Sequence, residues 1–148
     1  LVLGITRQES EFDKEARSRA GALGLMQLLP STAKETAHKL GLPFSKAKLM
    51  TEDYNMTLGS YYLSRLISAY DGSYVMAIAA YNAGPGNVSK WSRQFGTPGN
   101  NIDSAVNWIE KIPFAETRNY VQRVLENVQV YRSLESGQQL MLAEDLTR

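Results

Sequence analysis

Residues 75–80 form a run of six residues in which every side chain is apolar, and this run sets the strictest limit on how the chain can fold. A helix at a protein surface carries a polar face, whereas a helix that is apolar all round must be enclosed by other elements. A glycine-rich, turn-forming stretch follows at residues 82–86. The sequence therefore predicts a short central helix over residues 74–81, with the rest of the chain packed around it.

The remainder of the chain repeats apolar residues at the spacing of amphipathic helices, and β-type alternation does not persist. Pro30 suits the first position of a helix, and Thr32 with Glu35 has the spacing of a capping box. Asp53 is a suitable N-cap for a longer helix. The predicted helices span residues 1–10, 30–40, 53–70, 74–81, 88–95, 103–111 and 115–134. Because they are short and unequal, we predict an all-α fold with orthogonally packed helices rather than a long bundle.

The length of 148 residues suits one domain with a substantial core. We predict that residues 1–134 form this domain, that Gly137 ends its last helix, and that residues 135–148 are a weakly structured C-terminal tail. The apolar helical pattern is already under way at the first residue, without a capping residue before it. We therefore expect the sequence to be the C-terminal fragment of a longer protein.

The composition argues against several classes of function. The net charge is +1 and the basic residues are not clustered, which removes the electrostatic basis for nucleic-acid binding. The chain has no cysteine and one histidine, His38, which lies in a polar helical segment and is interpreted as a surface residue. We therefore expect neither a metal site nor a cofactor. No apolar stretch is long enough to span a membrane, and we expect a monomer.

Glu9 is the first candidate catalytic residue. It follows the apolar residues 1–5 and lies one helical turn after Ile5, on the same face. A carboxyl held against an apolar surface has its charged form disfavoured, so its pKa rises. A carboxyl with a raised pKa is suited to act as a general acid near neutral pH. The alternative interpretation is a solvated glutamate at the end of a helix.

Further polar groups occur where helix packing by itself would not place them. Gln27 interrupts the apolar residues 25–29, where a buried amide would need partners. Tyr81 and Asn82 end the central helix beside the glycine-rich turn, and Glu116 with Tyr120 shares one face of the last helix. Each position also has a structural explanation. Gln27 would be a satisfied core amide, Asn82 a helix C-cap, and Glu116 a favourable charge in a first turn.

These residues belong to four short motifs that follow one another along the chain. The motifs are Glu9-Ser10 after an apolar helix, Gly24-Leu25-Met26-Gln27 before Pro30, Ala80-Tyr81-Asn82-Ala83-Gly84, and Glu116-Thr117-Arg118-Asn119-Tyr120-Val121. In this order and spacing they resemble the catalytic domain of bacterial lytic transglycosylases of the soluble family-1 type, which is related to goose-type lysozyme. The resemblance covers residues 1–134. Leu29 departs from a methionine that the family often has at this position.

The resemblance implies a lysozyme-like α-helical fold with a groove for a peptidoglycan glycan strand. The implied reaction is cleavage of the β-1,4 bond between N-acetylmuramic acid and N-acetylglucosamine. By resemblance, Glu9 is the single catalytic glutamate. The groove positions that bind substrate carry Ser18, Gln27, Tyr81, Asn82, Glu116 and Tyr120. The implied location is the periplasm of a Gram-negative bacterium.

For the mechanism we expect one carboxyl to act twice, with assistance from the 2-acetamido group of the substrate, and to yield a 1,6-anhydromuramic end. Either Tyr81 or Tyr120 orients Glu9 or donates to the acetamide, and the sequence does not choose between them. One alternative is a muramidase that uses water as the nucleophile. Another is a peptidoglycan-binding module without turnover. A helical protein- or DNA-interaction domain lacks the basic patch that it would need.

Overall fold

The structure is a computed structural model and describes residues 1–136 and 140–148. The described residues form eight α-helices: α1 (Val2–Ser10), α2 (Pro30–Lys39), α3 (Glu52–Ala69), α4 (Tyr74–Ala83), α5 (Pro85–Phe95), α6 (Ile102–Lys111), α7 (Ala115–Ser136) and α8 (Leu142–Thr147). A 3₁₀ turn at Ala47–Met50 precedes α3. Because none of these residues lies in a β-strand, the prediction of an all-α fold is confirmed.

Helix α4 is the central helix, as the sequence predicts. Every side chain of residues 75–80 is buried, and α4 packs against α3, α5, α7 and α8. The Ser73 side chain caps its first turn by accepting a hydrogen bond from the Met76 backbone N–H. Gly84 follows its last turn at a φ of 86°, a conformation that glycine adopts without a steric penalty. The apolar helix is therefore enclosed on all sides and ends at an open turn.

Two apolar cores meet near the C-terminal half of α4. The larger core joins buried side chains of α1, α3, α4, α5, α6, α7 and α8. The smaller core lies under α2 and joins it to the middle of α3 and to the loop before α2. Tyr62 and Tyr81 pack against both cores. We call residues 11–51, which supply most of the smaller core, the smaller lobe, and the remaining helices the helical body; Tyr81 packs where their cores meet.

The segment between α1 and α2 is held by tertiary hydrogen bonds rather than by helix formation. Leu23 forms isolated antiparallel bridges with Arg17 and Leu28. The fully buried Asn55 of α3 accepts from the Met26 N–H at 2.8 Å and donates to the carbonyls of Leu23 and Leu49, each at 2.9 Å. A Cβ at Gly24 would overlap the Leu49 carbonyl and the Asn55 side chain, so this position requires glycine.

Helix α2 starts at Pro30 as predicted, but its predicted cap and the predicted starts of two other helices are wrong. The N-cap of α2 is Leu29, and neither Thr32 nor Glu35 forms the expected capping box. Pro30 occupies the first helical position, so the cap falls on a residue without a side-chain acceptor. Helix α3 has Thr51 rather than Asp53 as its N-cap. Helix α5 starts at its proline, three residues before the predicted start at residue 88.

The prediction of a weakly structured tail is wrong for α8. Its Asp145 and Leu146 are buried, and α8 packs on α4, α6 and α7. The Asp145 carboxylate accepts from the Arg132 guanidinium at 2.5 and 2.9 Å and from Gln129 Nε2 at 2.7 Å. Six residues are too few to show helical periodicity, so the sequence pattern could not reveal this element. Gly137, the predicted end of α7, lies outside the described residues.

His38 is exposed on α2, so its interpretation as a surface residue is confirmed. Among the helices of the described chain, none combines the length and the apolar character that crossing a bilayer requires.

Candidate active site

Glu9 lies in the last turn of α1, where its side chain is half-buried. Burial raises its pKa from an ordinary 4.5 to about 7. The hydrogen bond from Tyr120 opposes this shift, and the charge of Glu116 adds to it. At neutral pH the carboxyl is therefore divided between its acid and base forms. The raised pKa agrees with the sequence prediction and not with a fully solvated helix-end glutamate.

Tyr120 of α7 contacts Glu9 directly. Its hydroxyl donates to Glu9 Oε1 at 2.6 Å, and its ring is buried. Burial, followed by the charge of Glu9, raises the pKa of Tyr120 well above its ordinary value, so the hydroxyl keeps its proton. The two helices approach closely at Gly4, where a Cβ would lie 2.7 Å from Val128 Cγ2. Glycine at this position thus allows α7 to bring Tyr120 to Glu9.

A pocket of about 350 Å³ opens over Glu9 at the junction of α1, α4 and α7. It is lined by Gln8, Glu9, Asn82, Glu116, Asn119, Tyr120 and Arg123. Four of the seven predicted site residues therefore share one pocket, although three different helices of the chain supply them. A larger cavity of about 480 Å³ lies elsewhere, beside the start of α4, but none of the predicted residues lines it. We assign the site by its chemistry and not by its volume.

Asn82 enters this pocket from the last turn of α4. Helix α4 continues to Ala83 and is capped at Gly84, so the interpretation of Asn82 as the C-cap is wrong. Its Oδ1 accepts a hydrogen bond from the hydroxyl of Thr117 at 2.8 Å. Thr117 is buried and was not singled out from the sequence, although it lies inside the fourth motif. Its place between Glu116 and Tyr120 is visible in the sequence, but its burial and its bond to Asn82 are not.

Tyr81 lies at the boundary of the two lobes but does not line the pocket over Glu9. Its hydroxyl donates to the Met26 carbonyl at 2.8 Å, and its ring packs against Tyr62 with the centroids 5.5 Å apart. Burial, then the charges of Glu9 and Tyr62, raises its pKa well above the ordinary value. Because its proton is engaged by Met26, Tyr120 is the tyrosine that bonds Glu9 in this structure.

Gln27 and Ser18 belong to the loop between α1 and α2 and do not line the pocket over Glu9. Gln27 has a φ of 48° and is half-buried, and its amide nitrogen donates to the carbonyls of Ala16 and Gly24 at 3.0 and 2.8 Å. This arrangement matches the structural explanation of a satisfied amide. Ser18 is exposed, and its hydroxyl accepts from the Ala22 N–H at 3.0 Å.

Ser10 connects the end of α1 to the same loop. Its hydroxyl donates to the Leu25 carbonyl at 2.7 Å, one residue away from the Met26 carbonyl that Tyr81 contacts. Ser10 and Tyr81 therefore bond to consecutive carbonyls. The motifs that contain Ser10 and Tyr81 are thus both bonded to the backbone of the motif at residues 24–27. The last motif, residues 116–121, supplies Thr117 and Tyr120.

Comparison with known families gives two matches along the chain. Residues 1–104 match the family described as the transglycosylase SLT domain. Residues 111–139 match the family described as the soluble lytic transglycosylase helical domain.

Comparison with known proteins gives relatives of the same kind. The soluble lytic murein transglycosylase of Salmonella typhimurium is 38% identical over 146 residues, covering 97% of this chain and 22% of the relative. The Escherichia coli K12 protein of the same name is 39% identical over 133 residues, covering 88% of this chain and 20% of the relative. The chain thus spans about a fifth of the length of these curated relatives.

Solved structures agree with these relatives. An inactive mutant of the lytic transglycosylase Slt from Pseudomonas aeruginosa matches with a TM-score of 0.85 and 46% identity, over 96% of this chain and 22% of that one. The 70-kDa soluble lytic transglycosylase of Escherichia coli matches with a TM-score of 0.87 and 35% identity, over the same shares. A complex of the 70-kDa enzyme with bulgecin A matches with a TM-score of 0.84 and 34% identity, over 91% and 22%. The predicted lysozyme-like helical fold is confirmed by these neighbours.

Proposed function

We propose, because this chain belongs to the transglycosylase SLT domain family, that it is the catalytic domain of a peptidoglycan lytic transglycosylase. Its substrate is the glycan strand, cut at the β-1,4 bond between N-acetylmuramic acid and N-acetylglucosamine. The observation that carries the proposal is Glu9, a half-buried carboxyl with a pKa of about 7 that accepts a hydrogen bond from Tyr120 at the edge of a pocket.

Glu9 is the general acid in the first step. Its proton passes to the glycosidic oxygen as the bond to the anomeric carbon of the muramic acid breaks. The carbonyl oxygen of the sugar's own 2-acetamido group bonds to that carbon and forms an oxazolinium ion. Substrate assistance of this kind replaces the second carboxylate that most glycosidases use. The leaving chain departs with a free 4-hydroxyl group.

Glu9 is the general base in the second step. Its carboxylate takes the proton of the muramic 6-hydroxyl while that oxygen bonds to the anomeric carbon and the acetamido oxygen leaves. The product is a 1,6-anhydro end, no water is consumed, and Glu9 is protonated again. A pKa of about 7 suits both steps, because neither the acid nor the base form is costly to populate at neutral pH. Tyr120 stabilises the carboxylate that exists between the steps.

The remaining predicted residues are proposed to hold the strand. Asn82 and Glu116 line the pocket around Glu9 and offer polar contacts to the sugar next to the cleaved bond. Tyr81, Gln27 and Ser18 lie on or beside the neighbouring lobe, where they are proposed to contact sugars farther along the strand. We expect the working location to be the periplasm of a Gram-negative bacterium, where a peptidoglycan substrate is accessible.

Two of the comparisons support this assignment. The Pseudomonas aeruginosa structure is an inactive mutant in which one glutamate is replaced by glutamine, so that enzyme depends on the carboxyl of that residue. The 70-kDa soluble lytic transglycosylase forms a complex with bulgecin A.

The test is digestion of purified sacculi followed by mass spectrometry of the released muropeptides. We expect muropeptides whose muramic ends are lighter by one water than the corresponding hydrolysed ends. Glu9→Gln removes the proton that the first step needs and should lower turnover by roughly 10²-fold or more, since general acid catalysis contributes about 10²–10⁴-fold. Glu144→Gln is the matched control, because Glu144 is exposed on α8, away from the pocket, and should leave turnover unchanged.

Each other outcome contradicts a particular part of the proposal. Hydrolysed ends would identify a muramidase in which water replaces the 6-hydroxyl. Binding of sacculi without release of muropeptides would identify a module without turnover. A folded Glu9→Gln protein that keeps more than about a tenth of the activity would remove Glu9 from its role.

A further inference from the structure

Thr117, in the first turn of α7, makes a hydrogen bond that joins two helices. A threonine in a helix commonly donates its hydroxyl to the carbonyl four residues earlier. Thr6 and Thr36 do so here, bonding to Val2 at 3.0 Å and to Thr32 at 2.7 Å. The hydroxyl of Thr117 instead crosses to another helix and donates to Asn82 Oδ1 at 2.8 Å. Thr117 is 2% exposed, so this bond is shielded from water.

We propose that Thr117 is a positioning residue that fixes the orientation of the Asn82 amide at the active site, an inference that rests on the proposed function. The oxygen and nitrogen of an asparagine amide are nearly equal in size, so the group must be oriented by its hydrogen bonds. Because Thr117 bonds Oδ1 of Asn82, the Nδ2 group of that amide points away from Thr117. Asn82 itself lines the pocket that contains Glu9.

The reverse orientation of the amide is disfavoured. It would place the amide nitrogen against the Thr117 oxygen, and the hydroxyl proton, which now bonds Oδ1, would need a different acceptor. Leaving a buried donor unsatisfied costs roughly 1–3 kcal/mol, which is enough to select one orientation.

The consequence is a fixed donor at the active site. Asn82 Nδ2 makes no hydrogen bond to the described part of the chain and is not among its buried, unsatisfied atoms. It is therefore free to donate to an oxygen of the bound sugar. A single turn of α7 positions both the Glu9 carboxyl and the Asn82 amide, because Tyr120 bonds Glu9 and Thr117 bonds Asn82.

A double-mutant cycle with Thr117→Val and Asn82→Ala tests this role. Valine keeps the shape of threonine and removes the hydroxyl. We expect Thr117→Val to lower kcat/KM on glycan strands about tenfold, the effect of one misplaced hydrogen bond, and Thr117→Ser to recover most of it. In the Asn82→Ala background, Thr117→Val should have no further effect, because the group that it positions is absent.

The matched control is Thr36→Val, a buried helical threonine whose hydroxyl bonds within its own helix. It should lower the Tm about as much as Thr117→Val and leave kcat/KM unchanged. Equal losses from Thr117→Val in the wild-type and the Asn82→Ala backgrounds would overturn the inference, because they would show a structural effect independent of the Asn82 amide. Unchanged kcat/KM in Thr117→Val would overturn it as well.

The same double-mutant cycle is repeated in the Glu9→Gln background, where the measured quantity is the affinity for purified glycan strands. The expected result is weaker binding by Thr117→Val only when Asn82 is present. If wild-type protein binds strands without cleaving them, the proposed activity fails while the binding cycle still decides the role of Thr117. If the strands are not bound at all, both proposals fail.

Discussion

Two neighbours act on the Glu9 carboxyl in opposite directions. The Tyr120 hydroxyl donates to the carboxylate and lowers the pKa of Glu9, whereas the negative charge of Glu116 raises it. Burial remains the larger effect and sets the pKa to about 7. Each neighbour should therefore shift the pH dependence of activity in its own direction.

The proposed first step needs protonated Glu9, so kcat/KM should be level below about pH 7 and fall about tenfold per pH unit above it. Tyr120→Phe removes a bond that favours the carboxylate, which should raise the pKa of Glu9 and move this fall to higher pH. Glu116→Gln removes a charge that disfavours the carboxylate, which should lower the pKa of Glu9 and move the fall to lower pH. The measurement is the pH profile of kcat/KM for the three proteins.

Asn82→Ala provides the control for that series, because it removes a neutral pocket residue. We expect it to lower kcat/KM at every pH and to leave the position of the fall in place. Shifts in the same direction for Tyr120→Phe and Glu116→Gln would show that the fall does not report the ionisation of Glu9.

At the scale of elements, three helices hold one short piece of backbone. Ser10 of α1 bonds the Leu25 carbonyl, Tyr81 of α4 bonds the Met26 carbonyl, and Asn55 of α3 bonds the Met26 N–H. This backbone has no helix of its own, so its position depends on these side chains. The smaller lobe is therefore connected to the active site by hydrogen bonds as well as by apolar packing.

Asn55→Ala should destabilise the protein and disturb the site. It leaves the buried groups of Leu23, Met26 and Leu49 without their partner, and one unsatisfied buried group costs roughly 1–3 kcal/mol. We expect the free energy of unfolding in urea to fall by about 3 kcal/mol, with a lower kcat because the Met26 carbonyl supports Tyr81. Asn107→Ala, exposed on α6, is the control and should cost less than about 0.5 kcal/mol. A cost below about 1 kcal/mol for Asn55→Ala would show that water replaces these bonds.

At the scale of the whole molecule, α7 connects the active site to the C-terminal helix. Its first turns carry Thr117 and Tyr120, and its last turns carry Arg132, which binds Asp145 of α8. Leu146, next to Asp145, belongs to the larger core. The ion pair therefore keeps α8 over the same core that supports the active-site helices.

Asp145→Asn should weaken the attachment of α8 to the core. It removes the charge opposite Arg132, and breaking a buried ion pair by neutralising one partner costs about 3 kcal/mol or more. We expect a lower free energy of unfolding and faster hydrogen exchange in α8, with the pH profile of activity unchanged. Glu144→Gln, the exposed neighbour, should change the free energy of unfolding by less than about 0.5 kcal/mol. Equal stabilities of the two variants would contradict the role of the ion pair.

Much of the architecture could be predicted because it depends on local patterns. The central helix follows from six apolar residues, and Glu9 could be proposed because an apolar helix precedes it. The roles of Thr117, Asn55 and Asp145 could not be predicted, because each bonds a partner that is distant along the chain. A polar residue within a helical pattern does not reveal which other helix it will meet.

Periodicity and residue chemistry are properties of neighbouring residues, so the helical class, the enclosed α4 and the acidic residue at the end of α1 follow from the sequence. Three-dimensional packing is needed to show that Tyr120 rather than Tyr81 bonds Glu9, that Asn82 lines the pocket over Glu9 rather than capping α4, and that Leu142–Thr147 form α8. These outcomes depend on where α7 crosses α1 and α4, and that crossing is set by the packing of the whole core.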